Sequence, residues 1–245
     1  MNSNWITPQW AAPANVRAVC TTRQGGVSDA PFDSLNLGDH VGDNPYMVAR
    51  NRQLVGEILQ LPAEPLWLRQ VHGVEVCSMD TADGYPQADA AVAFAPNQVC
   101  VVMTADCLPA LFCDKAGTRI AAAHAGWRGL EAGVLERTVA AMQCEPREVL
   151  AWLGPAIGAT AFEVGDEVRT AFVQHDATAA QAFQATGQDG KWLADMYLLA
   201  RQRLNAVGVT AITGGDYCTY SDAERFFSYR RDGQTGRMAS LIWMA

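Results

Sequence analysis

Two hydrophobic periods run through this chain. Short apolar or alternating runs bounded by turn residues predict β-strands at Leu66–Val76, Ala90–Phe94, Val99–Thr104, Ala110–Cys113, Arg119–Ala123, Val149–Leu153, Val209–Thr213 and Phe226–Tyr229. Elsewhere apolar positions recur at the three- and four-residue spacing of a helix with one buried face. Met47, Leu54, Val55 and Ile58 form such a stripe after Asp43-Asn44-Pro45, where cap-type residues and a first-turn proline mark a helix start. Leu130, Val134, Leu135, Val139 and Met142 form a second stripe, and Asp166–Val173 carries a third. Met196, Leu199, Ala200, Leu204 and Val207, closed by Gly208, form a fourth. Strands and helices do not alternate regularly, so the pattern predicts an α+β fold, a mixed layer of sheet and helix, and not a doubly wound sheet. There is no repeat at solenoid periods and no linker rich in Pro, Gly or Ser, so residues 1–245 are expected to form one domain.

Composition narrows the function. A chain of 245 residues with 49% hydrophobic and 18% charged residues can bury a substantial core. Its formal net charge of −8 argues against nucleic acid or an anionic membrane surface as a partner, since both call for clustered Lys and Arg. Residues 1–13 lack the basic and apolar regions of a leader, and Gly, Pro or a charge interrupts every long apolar stretch, so a cytoplasmic location is expected. The cysteines are Cys20, Cys77, Cys100, Cys107, Cys113, Cys144 and Cys218, an odd number at irregular spacing that does not describe a disulfide framework. A small-molecule substrate fits best, and no protein partner is implied.

Of the four histidines, His72 and His124 sit where a strand pattern breaks into glycine, in Val71-His72-Gly73 and Ala123-His124-Ala125-Gly126. A polar side chain at such a break can meet a ligand that approaches the backbone closely. Cys107 is placed similarly, in Asp106-Cys107-Leu108-Pro109, whereas Cys100 and Cys113 lie inside apolar runs and read as core. Taken singly, Cys107 fits a buried thiol as well as a functional one, and each histidine fits a structural role. Imidazole nitrogens and a thiolate are donors that Zn²⁺ accepts, and three of them leave a fourth position open, as in catalytic sites.

The combination of motifs is more specific. Thr21-Thr22-Arg23-Gln24-Gly25-Gly26-Val27-Ser28, Ser34-Leu35-Asn36-Leu37-Gly38, the three segments above, Gly154-Pro155-Ala156-Ile157-Gly158, Phe227-Ser228-Tyr229-Arg230-Arg231-Asp232 and Thr235-Gly236-Arg237-Met238 follow one another in a single order. In this the chain resembles the laccase-domain (multicopper polyphenol oxidase) family of bacterial proteins, also called the YfiH or peptidoglycan editing factor family. The resemblance implies a compact α/β fold similar to the catalytic part of a deamidating toxin of the cysteine-hydrolase type. It also implies a zinc ion held by His72, Cys107 and His124. It further implies a purine nucleoside phosphorylase, using phosphate with adenosine, inosine or methylthioadenosine, which also deaminates adenosine, and it assigns Arg23 to the active site.

Other residues admit two readings each. Arg23 beside Gly25-Gly26 suits a phosphate or a solvated turn. Asn36 suits a ribose or a turn cap, and Arg128 an anion or a surface acid. Asp106 suits proton transfer or the orientation of a ligand histidine. Phe227 and Arg230, on an expected C-terminal hairpin, suit stacking on a purine or plain strand alternation. Two alternative activities remain. Copper at the same ligands would give a phenol oxidase, although four histidines are few for separate copper centres. A Cys107 nucleophile with His124 as base would give an amidase, with a peptidoglycan-precursor editing role as its biological form.

Overall fold

In a computed structural model, which describes residues 5–245, three sheets and their helices build a mixed α/β fold; the first four residues of the segment read for a leader lie outside the described part. The largest sheet has six strands: β2 (Val76–Ser78), β3 (Ala90–Ala93), β5 (Leu108–Asp114), β6 (Ile120–Ala125), β7 (Val149–Leu153) and β11 (Ala211–Gly214), in the order β11-β7-β5-β6-β3-β2. The two outermost pairs are parallel and the inner ones antiparallel. Its period-two alternation sorts the core. Leu108, Ala110 and Phe112 of β5 and Val149, Ala151 and Leu153 of β7 face the helices, whereas Leu111, Cys113, Leu150 and Trp152 face a second sheet.

That second sheet pairs β1 (Val16–Cys20) with β12 (Met238–Met244) and β12 with β4 (Val99–Thr104), all antiparallel. Neither β1 nor β12 is among the strands the pattern predicts. Apolar layers cover both faces of β12, with Ile242 and Met244 toward the large sheet and Ala239, Leu241 and Trp243 toward the opposite side. A strand buried on both faces shows no polar alternation to read. A small third sheet joins β8 (Glu163–Gly165), β9 (Phe183–Ala185) and β10 (Lys191–Ala194).

The helices bear out the stripes with corrections. Helix α1 (Pro45–Leu59) starts where expected, with the Asn44 side chain accepting from the Tyr46 N–H, but its buried face is Val48, Asn51 and Val55. The apolar count places that face slightly off because Asn51 is polar yet wholly buried, bonded to Val27, Ser28, Ser34 and Asn36. The second stripe is two helices, α2 (Trp127–Ala132) and α3 (Val134–Ala141), split by Gly133 at φ +97°. Helices α4 (Asp166–His175) and α5 (Met196–Ala206) match the remaining two. Two expected strands fail. Leu66–Val76 is mostly irregular, and Phe226–Tyr229 is a loop entering the short helix α6 (Tyr229–Asp232), capped by Ser228. In both places side-chain acceptors take N–H groups that a strand would have spent on a ladder.

Candidate metal centre

His72, Cys107 and His124 converge. Their ligand atoms all lie within 4.8 Å of one another, and no other group of His, Cys, Asp and Glu among the described residues is arranged to hold a metal. Each arrives on a different element.

His124 points from β6, opposite Pro109 of β5, and is 3% exposed. Its Nδ1 is 2.8 Å from Oδ1 of Asp89, a wholly buried carboxylate at the entrance to β3. That contact makes Nδ1 the protonated nitrogen and leaves Nε2 for the cluster. His72 sits on a turn at φ +61°, and the same Asp89 makes that turn. Its two oxygens accept the backbone N–H groups of Val71 at 3.2 Å, His72 at 2.9 Å and Gly73 at 2.6 Å. One acid therefore sets two of the three ligands. Asp89 escaped the motif reading, although the signal was present: it is the lone charge in the small apolar run Ala88–Phe94, a place where an acid is costly unless it is bonded.

Cys107 lies between β4 and β5, one residue after Asp106, whose φ is +88°. Asp106 accepts from Thr219 Oγ1 at 2.6 Å, Ser228 Oγ at 3.0 Å and the Arg230 N–H at 2.6 Å, while its carbonyl accepts from the Ile157 N–H. Both carboxylate oxygens are thus engaged in holding the loop that presents the thiol. Gly126 closes the centre from beneath. A Cβ there would lie 2.6 Å from Cδ2 of His72 and 3.1 Å from Sγ of Cys107, so the close approach of these two side chains needs a residue without one.

Electrostatics in the metal-free cluster favour a Cys107 thiolate beside a protonated His124, so an ion that takes His124 Nε2 displaces a proton from it. Burial raises the Cys107 pKa, but His124 and His72 outweigh it and bring the thiol from 9.0 to about 6. Burial lowers that of His124, but the Cys107 thiolate and Asp89 outweigh it and raise it. Asp89 itself is held below the ordinary carboxylate range because the bonds from His124, Gly73 and Val71 overcome its burial. Cys100 and Cys113, by contrast, are core thiols whose pKa burial drives upward, as their apolar setting predicts.

The donor types suit a tetrahedral ion, and one donor pair stands at the spacing such an ion needs. Ligands at about 2.3 Å (S) and 2.1 Å (N) subtend about 3.6 Å at a tetrahedral angle, and Sγ of Cys107 is 3.6 Å from Nε2 of His72. His72 is exposed and Cys107 partly so, which leaves the outer face of the centre open.

Beside Cys107 lies a cavity of about 140 Å³ walled by Trp127, Ile157, Phe162, Met196, Tyr229 and Arg230. Arg230 thus stands at the site, its Nη1 donating to the Glu163 carbonyl at 2.8 Å. Other expected residues stand elsewhere or are committed. Arg23 lines a separate depression, tied to the Asp33 carboxylate and to the carbonyls of Asp33 and Ala223. Asn36 is wholly buried, with Nδ2 donating to Gly38 and Asp43 and Oδ1 accepting from Gly38 and Arg237. Phe227 is wholly buried, beneath the guanidinium of Arg23. Arg128 is exposed and lies over the Trp127 ring.

A family model described as multi-copper polyphenol oxidoreductase laccase matches residues 17–245. The chain belongs to this family. A purine nucleoside phosphorylase of Pseudomonas aeruginosa is 58% identical over 240 residues, covering 98% of each chain. The purine nucleoside phosphorylase YfiH of Escherichia coli K12 is 58% identical over 244 residues, covering 99% of each. Among solved structures, a Neisseria meningitidis protein superposes with a TM-score of 0.95 at 54% identity over 99% of both chains. A Bacillus licheniformis hypothetical protein YfiH superposes at 0.87 and 30%, over 94% of this chain. No helix of the described residues is long and apolar enough to cross a membrane.

Proposed function

We propose that this chain, acting as one catalytic domain over residues 1–245, is a zinc-dependent purine nucleoside phosphorylase that also deaminates adenosine. The observation that carries this reading is the junction of the His72, Cys107 and His124 cluster with the aromatic cavity beside Cys107, together with relatives named for that activity. Zinc, when bound, supplies positive charge and a Lewis acid at the open face of the three ligands.

The chain's own residues do the remaining work. Trp127, Phe162 and Tyr229 offer flat apolar surfaces to a purine, and Arg230 adds a fixed cation at the rim of the same cavity. In phosphorolysis a phosphate oxygen bonds to C1′ of the ribose while the C1′–N9 bond breaks, its electron pair leaving with the purine, which takes up a proton. Holding the two reactants in line is worth more than any covalent assistance here. In deamination a water oxygen bonds to C6 of adenine and ammonia leaves. Asp89 keeps His124 in its Nδ1–H tautomer throughout, and Asp106 keeps Cys107 in place.

Chromatography of adenosine incubated with the zinc-loaded protein, with and without phosphate, tests the reading. Adenine and ribose 1-phosphate should form only with phosphate, inosine should form in both, and Cys107→Ala should abolish all three. Absence of adenine and inosine above the Cys107→Ala background refutes it.

One observation favours a second reading. Cys107, His124 and Asp89 form a thiol, imidazole and carboxylate series, the constellation of a cysteine amidase. Zinc would occupy that thiolate, so hydrolysis of amide substrates that rises on chelation would select this reading. For copper oxidation, the described residues offer this one cluster, where blue-copper and coupled centres need several imidazoles each.

A further inference from the structure

The motif Thr235-Gly236-Arg237 is not used by the metal centre, yet it holds a hydroxyl without a hydrogen bond and a guanidinium without a carboxylate. Arg237 donates through Nη1 to the carbonyls of Thr235 and Gly236, both at 3.0 Å, so its guanidinium is folded over its own loop. Among the described residues no carboxylate lies within ion-pair distance of it. Thr235 is 1% exposed, and its hydroxyl is buried without a hydrogen-bond partner. A buried hydroxyl left unbonded, and a half-buried guanidinium that lies over the Tyr229 ring and feels Cys107 and Asp106 without a carboxylate ion pair, both carry a desolvation cost that an arriving anion would offset.

Both residues line one cavity of about 320 Å³, together with His40, Gln234 and Tyr229. Tyr229 also walls the cavity beside Cys107, so the two spaces share a side chain and adjoin. The acids nearby are already engaged. Asp39 pairs with Arg52 and His40 and accepts from the Tyr85 hydroxyl, and Asp106 is held by Thr219, Ser228 and the Arg230 N–H. Burial and the charge of Arg237 both hold the His40 imidazole below its ordinary pKa, so the cavity presents a cation with a second group ready to become one.

We infer that the cavity around Arg237, Thr235 and His40 is an oxyanion subsite that takes a phosphoryl group next to the metal centre. Arg237 supplies charge and N–H donors, and the Thr235 hydroxyl supplies a neutral donor. Tetrahedral phosphate can come from inorganic phosphate as co-substrate or from the phosphate ester of a nucleotide. The inference deepens the phosphorylase reading and rests on it for the first source, but binding of the anion can be read without turnover.

The test uses zinc-loaded full-length protein, Arg237→Gln, which keeps the stem that packs on Gly38, and Thr235→Val as a milder second variant. Calorimetric titration with inorganic phosphate, with and without adenosine, should show affinity falling about 10- to 100-fold in Arg237→Gln and less in Thr235→Val. In the parent protein, phosphate should also raise the pKa of His40 followed by NMR. Parallel titration with adenosine and adenosine monophosphate separates the sources. A loss in Arg237→Gln confined to inorganic phosphate assigns the co-substrate, and a loss confined to the monophosphate assigns the nucleotide. If parent protein binds phosphate through Arg237 but yields no adenine from adenosine, the subsite stands and the phosphorylase reading falls. Equal phosphate affinity in parent and folded Arg237→Gln, no binding of either anion by the parent, or turnover whose KM for phosphate is unchanged in Arg237→Gln, overturns the subsite.

Discussion

Asp89→Asn isolates what the structure places behind the metal centre. The carboxylate accepts four donors, the N–H groups of Val71, His72 and Gly73 and the Nδ1–H of His124. An amide of the same shape has one oxygen. If that oxygen takes the Oδ2 position, the NH₂ group faces the His72 N–H and His124 Nδ1. His124 can then relieve the clash only by moving its proton to Nε2, the atom needed for metal. If the amide flips, the N–H groups of Val71 and Gly73 lose their acceptor instead. Either way two buried donors or ligand positions are spoiled, at about 1–3 kcal/mol each, or about 2–6 kcal/mol in all. For a chain of this size that corresponds to a Tm lower by about 4–24 °C. Loss of the group orienting a ligand histidine should also weaken zinc binding about 10- to 100-fold. Competition with a chromophoric chelator measures the second effect and thermal unfolding of the chelated protein the first. A variant that binds zinc within twofold of the parent and melts within about 2 °C of it would refute the assignment of Asp89 as the shared support of both histidines.

Gly126→Ala places a methyl group 2.6 Å from the His72 ring on a backbone, φ −62° and ψ 158°, that alanine accepts, so zinc binding should be lost while the far-ultraviolet circular dichroism of the fold is kept. Cys107→Ala should abolish zinc binding with little change in stability. Cys100→Ala, in a wholly buried position, should cost about 1 kcal/mol by leaving a cavity and keep zinc, and equal thermal effects with intact zinc in both would count against the site. In metal-free protein, alkylation of Cys107 mapped by mass spectrometry should rise with pH through about 6 and then level off, since the thiol pKa is lowered to that value and the thiolate is the reactive form. A Cys107 rate that keeps climbing to pH 9, as an ordinary thiol's does, would contradict the pairing with His124, and added zinc should suppress the labelling.

The pattern of apolar positions located the inner strands of the large sheet and every long helix, because those elements bury one face and leave the other polar or pack at regular spacing. It misplaced what buried polar groups decide. Asn51 turns the inner face of α1, and the Ser228 cap converts an expected strand into α6. The convergence of His72, Cys107 and His124 was legible because each interrupts a strand pattern near glycine or proline. Arg23, Asn36 and Phe227 were singled out by motif and by resemblance, and the structure gives them bonds or packing of their own.

Three candidate ligands brought together from a turn, a loop and a strand need something to fix the first two, and here that role falls to acids outside the cluster. His72 and Asp106 both occupy left-handed backbone, where a residue other than glycine is held only if its surroundings over-determine it. Asp89 does this for the first by capturing three consecutive N–H groups, and Asp106 does it for its own loop through Thr219, Ser228 and the N–H of Arg230. Both carboxylates are spent inside the protein, so the turn geometry does not depend on an ion to form it. A centre built in this way would be arranged before any ion reached it. The same economy separates the two chemistries suggested by the cluster. Cys107 with His124 could serve as nucleophile and base only while no ion is bound, and the carboxylate that would serve that triad is the one that selects the metal-binding tautomer.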